Sequence, residues 1–116
     1  MLKQTREILK KLTLRQKAAL LTGKDCWSTL GVEEAGLPSI RMSDSPNGIR
    51  MPGCDTDVIP SACALASSFN VETARRAGEL LGSEFKNAGI DLILGPAINL
   101  KRSPLCGRNF EYYSED

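Results

Sequence analysis

Residues 70–96 read NVETARRAGELLGSEFKNAGIDLILGP, a helix pattern running directly into a strand pattern. Val71, Ala74, Ala77, Leu80, Leu81, Phe85 and Ala88 recur at three- and four-residue spacing, while Glu72, Arg75, Arg76, Glu79 and Lys86 fall on the other faces. That spacing predicts an amphipathic helix over residues 71–88. Asn70 suits its N-cap, and Gly89 suits the position just past its end. Residues 90–94 are then nearly continuous in apolar side chains, as a strand covered on both faces is. Upstream, Pro38 precedes a strand-like run over residues 39–44, which ends in the turn signal Ser45-Pro46-Asn47-Gly48. With residues 62–69 read as a second, buried strand, the order strand, helix and strand predicts a right-handed βαβ crossover and an α/β fold.

The remaining segments fit around this unit. Leu2, Ile8, Leu9 and Leu12 have near-helical spacing, and Thr13-Leu14-Arg15-Gln16 forms a capping box that opens a second short helix. Leu14, Ala18 and Leu21 are its expected apolar stripe and Gly23 its expected end. Residues 31–37 read as a loop and residues 51–60 as an irregular excursion. Residues 62–69, small and apolar, are expected to form a second buried strand. After Asn99 the chain is polar and irregular. The expected organisation is leading helices over 1–30 and first βα units over 38–116. Parallel βα units need further strands or barrel closure to cover both faces, so the chain reads as the opening part of a larger α/β domain.

Composition narrows the chemistry. The 116 residues are 41% hydrophobic and 25% charged, with a net charge of +1 and no histidine. Lys and Arg alternate with acids, so no basic face for nucleic acid is expected. Without histidine, acid–base work falls to carboxylates, Lys, Arg, Cys, Ser or Tyr. Cys26, Cys54, Cys63 and Cys106 match no zinc or redox spacing and are expected to be free thiols, with Cys106 buried and inert. No metal and no cofactor are expected. The charged amino terminus lacks the apolar core of a signal peptide, and no run approaches the ~20 apolar residues of a membrane span. The expectation is a cytoplasmic chain with no membrane partner.

Two segments carry more information than composition does. One is Arg41-Met42-Ser43-Asp44-Ser45-Pro46-Asn47-Gly48-Ile49-Arg50. The other runs from Gly95-Pro96-Ala97-Ile98-Asn99-Leu100-Lys101-Arg102-Ser103-Pro104 into Gly107-Arg108-Asn109-Phe110-Glu111-Tyr112-Tyr113-Ser114-Glu115-Asp116. Together they resemble the amino-terminal (β/α)8 (TIM) barrel of glycoside hydrolase family 3, best known for β-glucosidases. Residues 12–23 and 60–89 join the resemblance, so it spans nearly the whole chain.

The resemblance implies that Asp44 holds hydroxyls of a non-reducing sugar, a task suited to a carboxylate that accepts two adjacent hydroxyls at once. It places Arg50 and Arg108 in the same subsite, where planar guanidinium forks donate from fixed geometry. It further implies retaining hydrolysis of terminal β-D-glucosyl residues, with two carboxyl groups about 5 Å apart acting as nucleophile and acid/base. Both carboxyls would lie beyond Asp116, on the rest of the barrel and a following domain, so this chain would hold no catalytic residue. Ser45 stands where the family usually has glycine.

Each reading has a plainer counterpart. Asp44 could cap its turn, Arg108 could pair with Glu111 at the surface, and Glu111, Glu115 and Asp116 are expected to be structural or solvated. Lys101 and Arg102 are a weak phosphate signal. Trp27 could stack on a sugar face, although packing against the barrel bottom or the leading helices is the expectation. The alternative to an enzyme fragment is a non-catalytic carbohydrate-binding or assembly module that oligomerises to cover its open sheet edge.

Overall fold

The computed structural model of the chain describes residues 2–44, 46–51, 53–54 and 56–115. It divides into two compact units, Met1–Met42 and Ser43–Asp116.

The first unit opens with α1 (Leu2–Lys11) and α2 (Leu14–Leu20). Thr13 breaks them apart and caps the second. Its hydroxyl accepts the Gln16 amide at 3.2 Å, while the Gln16 side-chain oxygen accepts the Thr13 amide at 2.9 Å, so the expected capping box forms in full. The expected stripe does not. Leu14 and Leu21 are exposed, and Leu20 instead packs with buried Leu12, Val32 and Ala35. The one-residue offset follows from the break, because burying Leu12 sets the face that α2 can present. Residues 31–37 form a closed loop, its neck held by the Val32 amide on the Leu37 carbonyl at 2.8 Å and the reverse bond at 3.1 Å. A Cβ at Gly31 would lie 2.7 Å from the Ser39 nitrogen, so only glycine fits there. Trp27 is fixed by its backbone. Its amide donates to Asp25 Oδ1 at 2.7 Å, which holds that carboxyl below its ordinary pKa, and its carbonyl accepts the Met42 amide at 2.7 Å. The indole is 45% exposed rather than packed away.

A strand–helix–strand order is present, but its first strand lies in the 39–44 run and not at residues 62–69. β1 (Met42–Ser43) pairs with β2 (Leu92–Ile93), and the Leu94 amide continues the pairing onto the Ser43 carbonyl at 2.9 Å. The strands are shorter than expected, and β2 is not covered on both faces, since Leu92 and Leu94 are exposed in this chain.

Residues 62–69, expected as a strand, contain α3 (Ala62–Ser67). The apolar run is helical and not extended: Ala62 and Leu65 are buried three positions apart, and alanine and leucine are strong helix formers. The Ser67 and Ser68 hydroxyls bond back to the Cys63 and Leu65 carbonyls at 2.8 and 2.6 Å, and Phe69 leaves in a left-handed conformation at φ 48°.

α4 (Val71–Asn87) starts where Asn70 Oδ1 accepts the amides of Glu72 and Thr73 at 2.9 and 3.3 Å. Glu72, Arg75, Arg76 and Glu79 ladder along its exposed side. Its stripe reaches the core from Ala77 onward, through half-buried Ala77 and buried Leu81 and Phe85. The helix ends in a Schellman motif: Gly89, at φ 67°, donates to Lys86, and the Ile90 amide donates to the Phe85 carbonyl at 2.9 Å. That turn delivers Ile90 into one cluster with Phe85 and Ile49, while Leu81 joins Ile59 and Leu65 in another, and Ile93 of β2 packs against both.

Two glycines separate tight packing from open space. A Cβ at Gly95 would sit 2.9 Å from Pro46 Cβ, whereas one at Gly82 in α4 would meet nothing within 4 Å. Gly95→Ala should therefore lower unfolding stability by about 1–3 kcal/mol through overpacking. Gly82→Ala should raise it by about 0.5–1 kcal/mol through helix propensity. Urea midpoints that shift the same way for both would contradict this packing.

Candidate functional site

The two motif segments, far apart in sequence, meet through β1 and β2. Asp44 leaves the end of β1 beside Ser43, whose side chain is buried with its Oγ unpartnered among the described residues. Pro46, in the turn that follows, lies against Gly95 just past β2. Position 45, where serine replaces the family's glycine, lies outside the described residues. Gly48 takes φ 144°, and the Asn47 carbonyl and side chain hold the far limb of the loop through the Ile59 amide at 3.0 Å and the Pro60 carbonyl at 2.8 Å.

The carboxyl-terminal segment is fixed by its own side chains. Asn109 Nδ2 donates to the Ser103 carbonyl at 2.8 Å, and the short 3₁₀ helix Asn109–Glu111 begins at Arg108. Three residues make one turn of such a helix, which puts Arg108 and Glu111 on one side. The Arg108 fork grips that carboxylate, with Nε to Oε1 at 2.9 Å and Nη2 to Oε2 at 2.6 Å. Nη1 takes no part in this grip. The pairing raises the Arg108 pKa first of all, with smaller contributions from the charges of Tyr112 and Asp44, and lowers that of Glu111.

Of the three residues singled out by sequence, Asp44 and Arg108 form no ion pair with each other among the described residues, and Arg108 is held by Glu111 instead. Arg50 is exposed and makes no ion pair with Asp44 among the described residues. Glu111 has the structural role expected of it. Cys106, expected to be buried, is exposed, because the 103–109 loop folds on its backbone and on Asn109 rather than on an apolar core. Among the described residues no three His, Cys, Asp or Glu side chains gather as a metal site, and no helix is long and apolar enough to cross a membrane. Beside the site a groove of about 630 Å³ runs along α4, lined by Leu81, Phe85, Ile93 and Tyr113 among others.

The family model described as the glycosyl hydrolase family 3 N terminal domain matches residues 12–116. The chain belongs to that family. This family 3 chain is 44% identical over 122 aligned positions to thermostable beta-glucosidase B of Acetivibrio thermocellus, an alignment covering 96% of the chain and 16% of the relative. It is 40% identical to an exo-alpha-(1->6)-L-arabinopyranosidase of Bifidobacterium longum, covering 93% of the chain and 16% of that protein. Among solved structures, a beta-glucosidase from Kluyveromyces marxianus in complex with glucose superposes with a TM-score of 0.89 at 38% identity, over 96% of the chain and 14% of the larger protein. The chain thus spans about a sixth of the length of the curated relatives it matches.

One functional candidate in the family 3 chain escapes a reading by motif. Glu84 of α4 is half-buried, and its Oε1 accepts the Asp57 amide at 3.0 Å. Its signal was present, since position 84 follows Leu81 by three and precedes Ala88 by four, a carboxylate set in the apolar stripe.

The Arg108–Glu111 pair has a defined pH behaviour. With the folded pKa of Glu111 depressed below its unfolded value, its contribution is complete above the unfolded value and is lost as pH falls through the folded one. Arg108→Met should return the Glu111 titration midpoint, read from its carboxyl ¹³C shift, upward to the ordinary glutamate range. A midpoint that does not move would show that the pair is not formed in solution.

Proposed function

We propose that the chain is the opening part of an incomplete (β/α)8 barrel from a retaining β-glycosidase that acts on terminal non-reducing β-D-glucosyl residues. Asp44, Arg50 and Arg108 line the glycone subsite, and the nucleophile and acid/base are supplied by polypeptide outside this chain. The observation that carries the reading is the β1–β2 pairing with Pro46 against Gly95, which brings the two motif segments together. An acceptor for paired hydroxyls, Asp44, and a donor fork held in place by Glu111, Arg108, are then carried on neighbouring segments. Family membership and the glucose-bound relative supply the sugar class, and the much greater length of the relatives supports the division of labour. Glu111 deepens the assignment, because its grip on Nε and Nη2 fixes the plane of the Arg108 fork.

The test is a titration of the ¹⁵N-labelled chain with β-D-glucose. A partial subsite should bind in the millimolar range or weaker, roughly −4 kcal/mol or less favourable. The shifts should centre on Asp44 and Arg108, and Asp44→Asn should weaken binding about tenfold by removing charge-assisted bonds. Rigorously purified chain should not hydrolyse a chromogenic β-glucoside. Glucose shifts away from these residues, or turnover by the chain alone, would contradict the proposal.

A further inference from the structure

The loop that follows Asp44 carries Arg50 and departs from the sheet, and its hold on α4 rests on two adjacent helix residues. Phe85 packs against buried Ile49 on the outgoing limb. Glu84 accepts the Asp57 amide at 3.0 Å on the returning limb. The limbs are tied to each other next to Arg50, where the Ile49 amide donates to Thr56 Oγ1 at 3.2 Å. Arg50 therefore sits one residue beyond a hydrogen bond whose acceptor, Thr56, is itself one residue from the Glu84 bond. The neck is closed by the Asn47 contacts to Ile59 and Pro60.

We propose that Glu84 is a positioning residue that fixes, through Asp57 and Thr56, the backbone that presents Arg50 to the sugar. This inference rests on the glycone-subsite reading above. The side chain acts through the acceptor oxygen that holds the Asp57 amide. Only Oε1 takes part in the bond; Oε2 is buried without a partner among the described residues. Glutamine keeps an acceptor oxygen and should keep the Asp57 bond, while an apolar side chain should release the Asp57 amide.

The experiment measures amide hydrogen exchange and β-D-glucose affinity by NMR in the wild-type chain and in Glu84→Gln, Glu84→Leu and Thr56→Val. Losing one such bond is expected to speed exchange about tenfold. Glu84→Leu should do so at Asp57 and Ile49, leave the amides around Leu81 unchanged, and weaken glucose by about the same factor. Glu84→Gln should match wild type in both readouts. Thr56→Val should free Ile49, leave Asp57 protected and still weaken glucose, which keeps the test decisive if the leucine variant does not fold.

The positioning role is overturned if the loop amides exchange freely while glucose affinity is unchanged, if Glu84→Leu leaves both amides protected, or if Glu84→Gln behaves like Glu84→Leu. A wild-type chain that binds no glucose overturns the subsite reading instead, and the exchange pattern then still decides whether Glu84 anchors the loop.

Discussion

Two side chains on one turn of α4, Leu81 and Phe85, hold the second unit together. Each belongs to a different apolar cluster, and Ile93 of β2 is packed against both. Burying a side chain of this size contributes about 1.5–3 kcal/mol, so this single contact line supplies much of what orders a short segment with little other core. The Schellman turn extends it, because the same hydrogen bonds that end the helix insert Ile90 beside Phe85 and aim the chain into β2.

Much of the site's geometry follows from that seating. With β2 fixed, β1 pairs beside it and Asp44 emerges at its end. Gly95 lets Pro46 approach to a distance that any side chain would prevent, so the two motif segments share one edge. The carboxyl-terminal loop then orders itself through Asn109 and the 3₁₀ turn, and Glu111 sets the plane of Arg108. Glu84 and Phe85 reach in the other direction, to the loop bearing Arg50. A helix that looks like ordinary scaffolding in sequence thus stands behind both flanks of the candidate sugar site.

What the sequence made legible was local. The capping box at Thr13, the N-cap at Asn70 and the left-handed Gly89 are each decided within a few residues, and each formed as read. Residues 62–69 were misread because a short run of small apolar residues supports either period, and only its burial at Ala62 and Leu65 selects the helix. The stripe of α2 failed for a tertiary reason, since the burial of Leu12 fixes which face of the next helix is useful. At the site, motif resemblance singled out Asp44 and Arg108, on segments that the β1–β2 pair brings together, but it offered no means of locating Glu84, which bonds to backbone and so leaves no paired side chain to find.

Membership in glycosyl hydrolase family 3 gives the site its chemical context, while relatives that include both beta-glucosidases and an arabinopyranosidase show that the family model does not by itself choose the sugar. The central claim is that Asp44 and Arg108 face one sugar ring. A crystal structure of the chain grown with β-D-glucose tests it directly. The account predicts the Asp44 carboxylate within about 3 Å of two adjacent ring hydroxyls, with the Arg108 fork, still held by Glu111, on the same ring. Glucose bound elsewhere, or Asp44 and Arg108 turned apart with no sugar between them, would contradict it.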